Sequence, residues 1–323
     1  MPSPAFIPSP SANGFHIGPL FLHAYGIAYV FAVSAAILIS RVRWERRGGN
    51  RELVYEVAMW GFPAGVIGAR IYFVITTFSQ MPQHWWGPFA IWDGGLGIWG
   101  GIAGGAAAGI WRLRRHGVNV REFMDVAAPA LLVAQAIGRI GNYFNQELFG
   151  KPTTLPWALE ISPAHRPAGY LQYKTFQPTF LYELLFDLAL AAFLMWLGAR
   201  RRQGSEERLI NAPGLFALYV AGYSGFRMFE ETLRIDYSHH ILGLRLNFFV
   251  ALVLCLVGIA WFVRIQWGWP GRRRLARAGG AAGVIWLVTF AAGCGFGGRV
   301  SSARAAVAPP RAPTAAYSPP ARR

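Results

Sequence analysis

The sequence predicts an all-α polytopic membrane protein, and three observations indicate this fold class. Of the 323 residues, 54% are hydrophobic and only 14% are charged, whereas soluble domains carry about 25% charged residues. The apolar residues form blocks long enough to cross a bilayer, which takes about 20 residues. The basic residues cluster in alternate links between these blocks, as the positive-inside rule expects.

Seven apolar blocks are expected to be transmembrane helices that form one bundle over residues 19–265. They cover residues 19–40, 54–78, 87–111, 122–141, 179–199, 213–233 and 246–264.

The distribution of arginine gives the orientation of the bundle. Arginines are frequent after the first, third, fifth and seventh blocks, whereas the link 79–86 has no Lys or Arg. This pattern predicts that the N-terminal segment 1–18 lies outside and that the last helix ends in the cytoplasm. The net charge of +16 is then a topology signal that also suits anionic lipid headgroups. Because the arginines form no single patch, no nucleic-acid partner is expected.

The links outside the bundle differ in composition. Residues 143–178 are expected to form an outer loop or head, in which LPWALEI and YLQYKTF could be short strands or interfacial turns between prolines. Residues 266–299 read as a basic linker with a weak apolar segment. The tail 300–323 is rich in Pro, Ala and Arg and is expected to be disordered.

Polar residues of several blocks are expected at one depth, toward the outer leaflet. They are Tyr25, Arg70, Asp93, Arg139, Asn142, Glu183, Arg227, Glu231 and Arg234. An ionisable residue inside a membrane is a functional candidate, and guanidinium groups bind phosphate bidentately. A phospholipid headgroup is therefore the expected ligand of an enzyme or a transporter. The structural alternative is a set of ion pairs, such as Arg70–Asp93 or Arg227–Glu231, the latter four residues apart on one helical face.

Residues 138–150, GRIGNYFNQELFG, resemble the signature of the prolipoprotein diacylglyceryl transferase family, G-R-x-G-N-F-x-N-x-E-x-x-G. The match includes Gly138, Arg139, Gly141, Asn142, Asn145, Glu147 and Gly150, with Tyr143 where the pattern has Phe. Other family segments occur in order: YGIAY (25–29), GARIYFV (68–74), DGGLGIWGGI (93–102), PTFLYE (178–183) and YSGFRMFEETLR (223–234). The resemblance covers about residues 15–265.

The resemblance implies a multi-pass enzyme of the bacterial cytoplasmic (inner) membrane. Such an enzyme moves diacylglycerol from phosphatidylglycerol to the lipobox cysteine of a prolipoprotein signal peptide, and glycerol 1-phosphate leaves. A thioether results, which is the first step of bacterial lipoprotein maturation. The thiol must become a thiolate, and fixed donors must meet the charge that grows on the departing phosphate. No metal or other cofactor is expected.

The resemblance also implies roles for individual residues. The catalytic set is Arg139, Arg227, Glu231 and Tyr25, in which the two arginines clamp the phosphate. The substrate-binding set is Arg139, Asn142, Asn145, Glu147, Gly150, Arg234 and Arg70.

The sequence departs from the family at two expected histidines. Many members have FHGG where this chain has IWGG with Trp99, and Gln177 stands where a histidine often precedes the P-x-x-L-Y-E motif. Indole accepts no proton, so the group that deprotonates the thiol stays open. The candidates are Glu147, Glu231 and Tyr25, or the nearby arginines alone, which could lower the thiol pKa.

Three other functions are weighed against the transferase. A phospholipid-binding transporter would be expected to show inverted repeats and broken helices, and no paired halves are visible. Another enzyme on the same lipid would need an acidic metal cluster or a His/Asp nucleophile system. A catalytically inactive relative would fit Trp99 and Gln177, but the intact arginine motif argues against it.

Overall fold

The computed structural model describes residues 6–77, 85–91, 95–203, 205–236 and 238–268. The helices are α1 Ala24–Glu45, α2 Arg51–Thr76, α3 Ile98–Arg115, α4 Val120–Asn145, α5 Thr179–Ala199, α6 Gly214–Leu233 and α7 Leu246–Trp267. The strands pair as three antiparallel two-stranded sheets, β1 Gly14–Ile17 with β2 Leu20–His23, β3 Leu159–Glu160 with β4 Thr175–Phe176, and β5 His240–Ile241 with β6 Leu244–Arg245. Asp93, most of the predicted linker and the tail lie outside the described residues.

The helices make this a polytopic membrane protein. Within the described ranges, α1, α2, α4, α5 and α7 are long and apolar enough to cross a membrane. The other two helices are more polar, because α3 ends in several arginines and α6 carries Arg227, Glu230 and Glu231. Most of α6 is buried by the protein, so its charges meet other side chains rather than lipid. Seven spans, rather than five, stays a prediction.

Two predicted blocks begin earlier than their helices. Residues 20–23 form β2 instead of the first turns of α1, which begins at Ala24 and continues to Glu45. In the third block Gly87–Phe89 form a short 3-10 turn, and α3 begins only at Ile98, after an extended Gly97. Apolar composition marks both stretches, but hydrogen-bond pairing and chain turns decide their conformation.

The glycine-rich segment of α3 serves helix packing. A Cβ on Gly100 would overlap the carbonyl of Gly68 on α2, and a Cβ on Gly104 would overlap the carbonyl of Ala64. Small residues let the two backbones touch, as in many membrane helix pairs. These glycines therefore pack directly against the backbone of α2.

The central core lies between α4, α5 and α6. It consists of Met124, Ala128, Leu132, Ala191, Leu194, Leu215, Phe216, Tyr219, Val220 and Tyr223. Outside this layer, α1 packs along α4 and α7 packs along α6. The three inner helices carry the charged residues of the site beyond one end of this core.

An aspartate of α4 holds the start of α6. Asp125 is 2% exposed, and its Oδ1 accepts a hydrogen bond from the backbone N–H of Phe216 at 3.0 Å. The first N–H groups of a helix have no partner within the helix, and Asp125 supplies one from a neighbouring helix. Arg43 of α1 donates to the carbonyls of Asp125 and Val126 at 3.2 and 3.1 Å. These contacts join α1, α4 and α6 at the arginine-rich end.

The link between α4 and α5 forms a small head over the other end of the bundle. The segments LPWALEI and YLQYKTF could be short strands or interfacial turns, and the structure has the short strands β3 and β4 within them. Phe149, Leu159, Ile161 and Phe176 form its hydrophobic cluster. Ile7 packs on this cluster and forms a parallel bridge with Leu159. The N-terminal segment is thereby part of the head.

Candidate functional site

Three buried charged side chains meet at the polar ends of α4, α5 and α6. Arg139 of α4 lies 2.9 Å from Glu183 of α5, measured from Nη2 to Oε1. Arg227 of α6 faces the other oxygen of that carboxyl group, with Nη1 3.7 Å from Oε2. These residues are at most 4% exposed. Glu183 therefore bridges the two arginines that the resemblance assigns to the phosphate clamp.

Arg227 also contacts two carboxylates of its own helix. Its Nη1 donates to Glu230 Oε2 at 2.6 Å, and its Nη2 donates to Glu231 Oε1 at 2.5 Å. The Arg227–Glu231 ion pair, considered from the spacing of four residues, is confirmed as a contact. Since both terminal nitrogens are engaged, an incoming anion must share or displace a carboxylate.

A second group of ion pairs closes the end of α6. Arg245 donates from Nε to Glu231 Oε2 at 2.5 Å and from Nη2 to Asp236 Oδ2 at 2.9 Å. Arg234 donates from Nε to Asp236 Oδ1 at 2.7 Å. Burial acts to raise the pKa of Asp236, but the charges and hydrogen bonds of Arg234 and Arg245 outweigh it and hold the pKa below its ordinary value. Arg234 and Glu231 thus belong to one connected network.

The last turn of α4 carries the amides of the signature. The helix ends at Asn145, and the next residue, Gln146, has a left-handed φ of 50° that brings Glu147 back onto the helix end. Glu147 Oε1 accepts hydrogen bonds from the side-chain amides of Asn142 at 2.9 Å and Asn145 at 3.2 Å. Asn142 Oδ1 in turn accepts from Arg139 Nη1 at 3.3 Å. The structure therefore brings these predicted residues into a single hydrogen-bonded chain.

Gly150 lies where the loop after α4 touches the end of α6. Its N–H donates to the carbonyl of Gln177 at 2.9 Å, and the N–H of Lys151 donates to the carbonyl of Leu233 at 2.8 Å. A Cβ on Gly150 would lie 2.8 Å from Gln177 Cβ and 3.0 Å from Leu233 O. The close approach explains why this position of the signature is glycine.

The first-helix tyrosine reaches the signature helix from the side. Tyr25 lies in the first turn of α1, is half-buried, and its ring rests on Gly141 of α4. This contact is two residues along α4 from Arg139. Trp99 is the second residue of α3 and is half-buried. The side chain of Gln177 accepts a hydrogen bond from the Tyr182 hydroxyl at 2.6 Å.

Arg70 binds the link between α2 and α3. Its guanidinium donates to the carbonyls of Gly87 at 2.6 Å, Pro88 at 2.8 Å and Gly95 at 2.9 Å. The Arg70–Asp93 pair considered from the sequence involves a residue outside the described ranges. Substrate binding by Arg70 stays a prediction, and its observed contacts hold the backbone of this link.

The sequence-predicted site omits five residues of the network, of which all but Asp236 are buried. They are Asp187, Tyr223, Glu230, Asp236 and Arg245. The Tyr223 hydroxyl donates to Glu183 Oε1 at 2.7 Å, and the carboxyl of Asp187 is fully buried one turn after Glu183. Treating every ionisable residue in an apolar block as a candidate would have found Asp187 and Glu230.

The network can stabilise negative charge. Guanidinium groups stay charged at any relevant pH and offer several N–H donors each. Here they are fixed by packing and by carboxylates, and they are shielded from water, so their electrostatic effect is strong. The side chains of Asn142 and Asn145 add neutral donors beside them. Such a site suits a phosphate group whose charge increases during a reaction.

Comparison with known proteins identifies the family of the chain. The model of the family described as prolipoprotein diacylglyceryl transferase matches residues 13–264. The chain is 43% identical to phosphatidylglycerol–prolipoprotein diacylglyceryl transferase 2 of Streptomyces coelicolor, with 86% of each chain covered. It is 46% identical to the phosphatidylglycerol–prolipoprotein diacylglyceryl transferase of Cutibacterium acnes, over 80% of this chain and 86% of that relative. The chain belongs to the prolipoprotein diacylglyceryl transferase family.

Proposed function

We propose that the chain transfers the diacylglyceryl group of phosphatidylglycerol to the lipobox cysteine thiol of prolipoproteins. Its family and the names of its relatives support this activity. The observation that carries the proposal is the pair of buried arginines, Arg139 and Arg227, joined by Glu183. Glycerol 1-phosphate leaves, and the product is a thioether.

The reaction is a displacement at an sp³ carbon of the lipid glycerol. The thiolate sulfur forms the new S–C bond while the C–O bond to phosphate breaks, and its electron pair stays on the phosphate oxygen. Negative charge therefore moves from sulfur to phosphate. Arg139 and Arg227 stabilise that charge by donating hydrogen bonds from their N–H groups to the phosphate oxygens. In the resting protein, the carboxylate oxygens of Glu183 and Glu230 occupy the positions that these phosphate oxygens take.

The end of α4 positions the headgroup. Arg139 and Glu147 are linked through Asn142, so the guanidinium and the amide belong to one hydrogen-bonded unit. In our proposal Asn142 and Asn145 bind the glycerol hydroxyls of the headgroup or the backbone of the peptide, and Glu147 orients both amides. Gly150 keeps the loop close to α6, and Arg234 fixes the rim of the site through Asp236.

The thiol proton needs an acceptor close to the attacking sulfur. Both carboxylate oxygens of Glu231 are engaged by guanidinium groups, one by Arg227 and one by Arg245. Glu231 is therefore poorly placed to accept a proton from a thiol. Glu147 is half-buried at the end of α4, and we favour it over Glu231 as the acceptor. Tyr25 then contributes to the wall against which the reacting groups lie.

The proposed setting is a bacterial cytoplasmic membrane with the head on its outer side. The alternation of arginine-rich links supports this orientation. Residues 1–18 and the loop 143–178 would then face outward, where signal peptides carrying a lipobox cysteine are presented. Phosphatidylglycerol would enter sideways from the bilayer.

Thioether formation in a transferase-depleted bacterial strain tests the proposal. Wild type, Arg139→Ala and Trp99→His are expressed side by side, and the mass of a reporter lipoprotein is measured. We expect the wild type to add a diacylglyceryl group and Arg139→Ala, at equal membrane abundance, to add none. Thioether from Trp99→His but not from wild type would instead identify a chain that has lost its base. Equal product from Arg139→Ala and wild type would contradict the role of this arginine.

A further inference from the structure

Arg245 is a buried arginine to which the proposed reaction gives no role. It is the last residue of β6, it immediately precedes α7, and it is 6% exposed. Its Nε donates a hydrogen bond to the carboxylate of Glu231. Its Nη1 and Nη2 donate to the backbone carbonyl and the carboxylate of Asp236, at 2.6 and 2.9 Å. Arg245 therefore joins the start of α7 to a carboxylate of the site.

Glu231 lies between two guanidinium groups, with one carboxylate oxygen on each. Its Oε1 accepts a hydrogen bond from Arg227 Nη2, and its Oε2 accepts one from Arg245 Nε, both at 2.5 Å. The side chain of Glu231 is fully buried. Because a planar guanidinium binds a carboxylate in a defined direction, the orientation of Glu231 toward Arg227 depends on Arg245.

Arg227 depends in turn on Glu231 for its own orientation. Within the described ranges, Arg227 Nε donates no hydrogen bond, whereas Nη1 and Nη2 donate to Glu230 and Glu231. In the proposed reaction, a phosphate oxygen takes the place of Glu230 on Nη1. The bond from Nη2 to Glu231 then holds the guanidinium in place while its other side faces the phosphate.

Sharing also limits how far Glu231 neutralises Arg227. A carboxylate between two guanidinium groups offsets part of the charge of each, so Arg227 keeps positive charge for an incoming anion. Without Arg245, Glu231 would pair with Arg227 alone among these arginines and would oppose the bound phosphate more strongly. The position of Arg227 and its available charge therefore both depend on Arg245.

We propose that Arg245 is a positioning residue, which fixes the guanidinium of Arg227 against the phosphate through the carboxylate of Glu231. The inference rests on the proposed function and adds to it a residue from the start of α7. Arg245 acts through Glu231 and does not contact the lipid. The alternative is that Arg245 only fastens the rim of the site through Asp236.

A double-mutant cycle of Arg245 and Glu231 tests the proposal. The kcat and the KM for each substrate are measured for wild type, Arg245→Gln, Glu231→Gln and the double variant, as purified full-length proteins. We expect Arg245→Gln to lower kcat by roughly 10–100-fold, because a misplaced donor stabilises the transition state poorly, and to leave the KM for the peptide unchanged. The double variant should lose little more than Glu231→Gln alone. Losses that multiply in the double variant would overturn the proposal.

Two other variants separate this role from a purely structural one. Asp236→Asn alters the other side of the Arg245 guanidinium and keeps the bond to Glu231, so we expect a smaller loss of kcat than in Arg245→Gln. Arg264→Gln changes an exposed arginine near the far end of α7 and should keep the wild-type kcat. A loss in either control as large as in Arg245→Gln would overturn the proposal.

Arg245→Lys decides the case if Arg245→Gln does not fold. Lysine keeps the charge that pairs with Glu231 but lacks the fork of donors that also holds Asp236. We expect a kcat below that of the wild type, and little further loss when Arg245→Lys is combined with Glu231→Gln. A wild-type kcat in Arg245→Lys, or losses that multiply, would contradict positioning by the fork.

A wild type that forms no thioether would contradict the proposed function instead. The cycle is then measured on the Kd of a short-chain phosphatidylglycerol, determined by calorimetry without acceptor peptide. Arg245→Gln is expected to weaken binding, and much less so beside Glu231→Gln. A wild-type Kd in Arg245→Gln would overturn the inference.

Discussion

Arg227 illustrates, at the residue scale, how a charge is kept inside this membrane protein. Its guanidinium is 2% exposed and contacts carboxyl groups of Glu183, Glu230 and Glu231. Removing one partner of a buried ion pair leaves an uncompensated charge, which typically costs about 3–5 kcal/mol. The arginine therefore depends on its acids in the resting state, and a bound phosphate can replace part of that support.

Asp236 gives a pH-dependent prediction at the same scale. Its pKa is lowered in the folded state because the contributions of Arg234 and Arg245 exceed that of burial. The stabilisation is present above the unfolded pKa of about 3.9 and is lost as pH falls through the folded value. We expect hydrogen exchange of residues 234–246 to increase on acidification below about pH 4.

Asp236→Asn provides the control for this acid effect. It removes the charge at every pH, so faster exchange of the same residues is expected already at neutral pH, with a loss of about 1–3 kcal/mol in local stability. Acidification should then have little further effect on these residues. Wild-type exchange in Asp236→Asn at neutral pH would show that the ion pairs do not hold the rim.

Gly150 gives a prediction about close packing. A Cβ at this position would lie 2.8 Å from Gln177 Cβ, and overpacking of this kind costs about 1–3 kcal/mol. We expect Gly150→Ala to unfold at lower temperature in detergent than the wild type. The matched control is Gly169→Ala in the same loop, where a Cβ would meet nothing within 4 Å. An equal effect of both substitutions would contradict the contact argument.

At the element scale, α4 organises the molecule. Its arginine-rich end receives Arg43 of α1 and caps α6 through Asp125, while its other end carries Arg139 and Asn142. Helix α4 contacts α1, α5 and α6. The position of the site is therefore determined by contacts at both ends of one helix.

Asp125 tests this organisation. Asp125→Ala removes the acceptor for the N–H of Phe216, and leaving a buried donor without a partner costs about 1–3 kcal/mol. We expect a lower midpoint of thermal unfolding in detergent, and a smaller loss for Asp125→Asn, whose amide oxygen still accepts. Arg121→Ala changes an exposed side chain of the same helix and should leave the midpoint unchanged. A midpoint for Asp125→Ala equal to that of the control would exclude the capping role.

The sequence predicted the helices, and the shared level of three site residues along them, better than the contacts of the site. Block lengths and arginine-rich links mark each helix because lipid requires long apolar segments, although β2 forms where the first helix is expected to begin. Depth along the helices brought Arg139, Glu183 and Arg227 to one level. Depth does not give helix rotation, so the bridge by Glu183 and the engagement of Glu230 could not be predicted.

At the scale of the whole molecule, distant parts of the chain form the head. Gln146, at the end of α4, accepts hydrogen bonds from the N–H of Ser162 at 2.8 Å and from the Ser9 hydroxyl at 3.0 Å. Its amide donates to the carbonyl of Pro10 at 3.1 Å. The Tyr143 hydroxyl donates to the carbonyl of Pro8 at 2.8 Å. The N-terminal segment is therefore attached directly to the signature helix.

Gln146→Ala should detach this segment. The change removes three hydrogen bonds and is expected to lower the stability of the head by about 1–3 kcal/mol. Limited proteolysis should then cut near residues 6–10 faster than in the wild type. Gln203→Ala, in the exposed link between α5 and α6, is the control. Unchanged proteolysis of the N-terminal segment in Gln146→Ala would contradict this attachment.

The central claim is that Arg139 and Arg227 stabilise the departing phosphate. The most direct test is to measure the kcat/KM of the purified protein with phosphatidylglycerol and a synthetic lipobox peptide. Arg139→Lys keeps the charge but not the planar fork of donors, and losing one transition-state donor costs about 10²–10³-fold in rate. We therefore expect a loss of about 10²-fold in kcat/KM for Arg139→Lys, against none for the exposed Arg200→Lys. Wild-type kcat/KM in Arg139→Lys would contradict the claim.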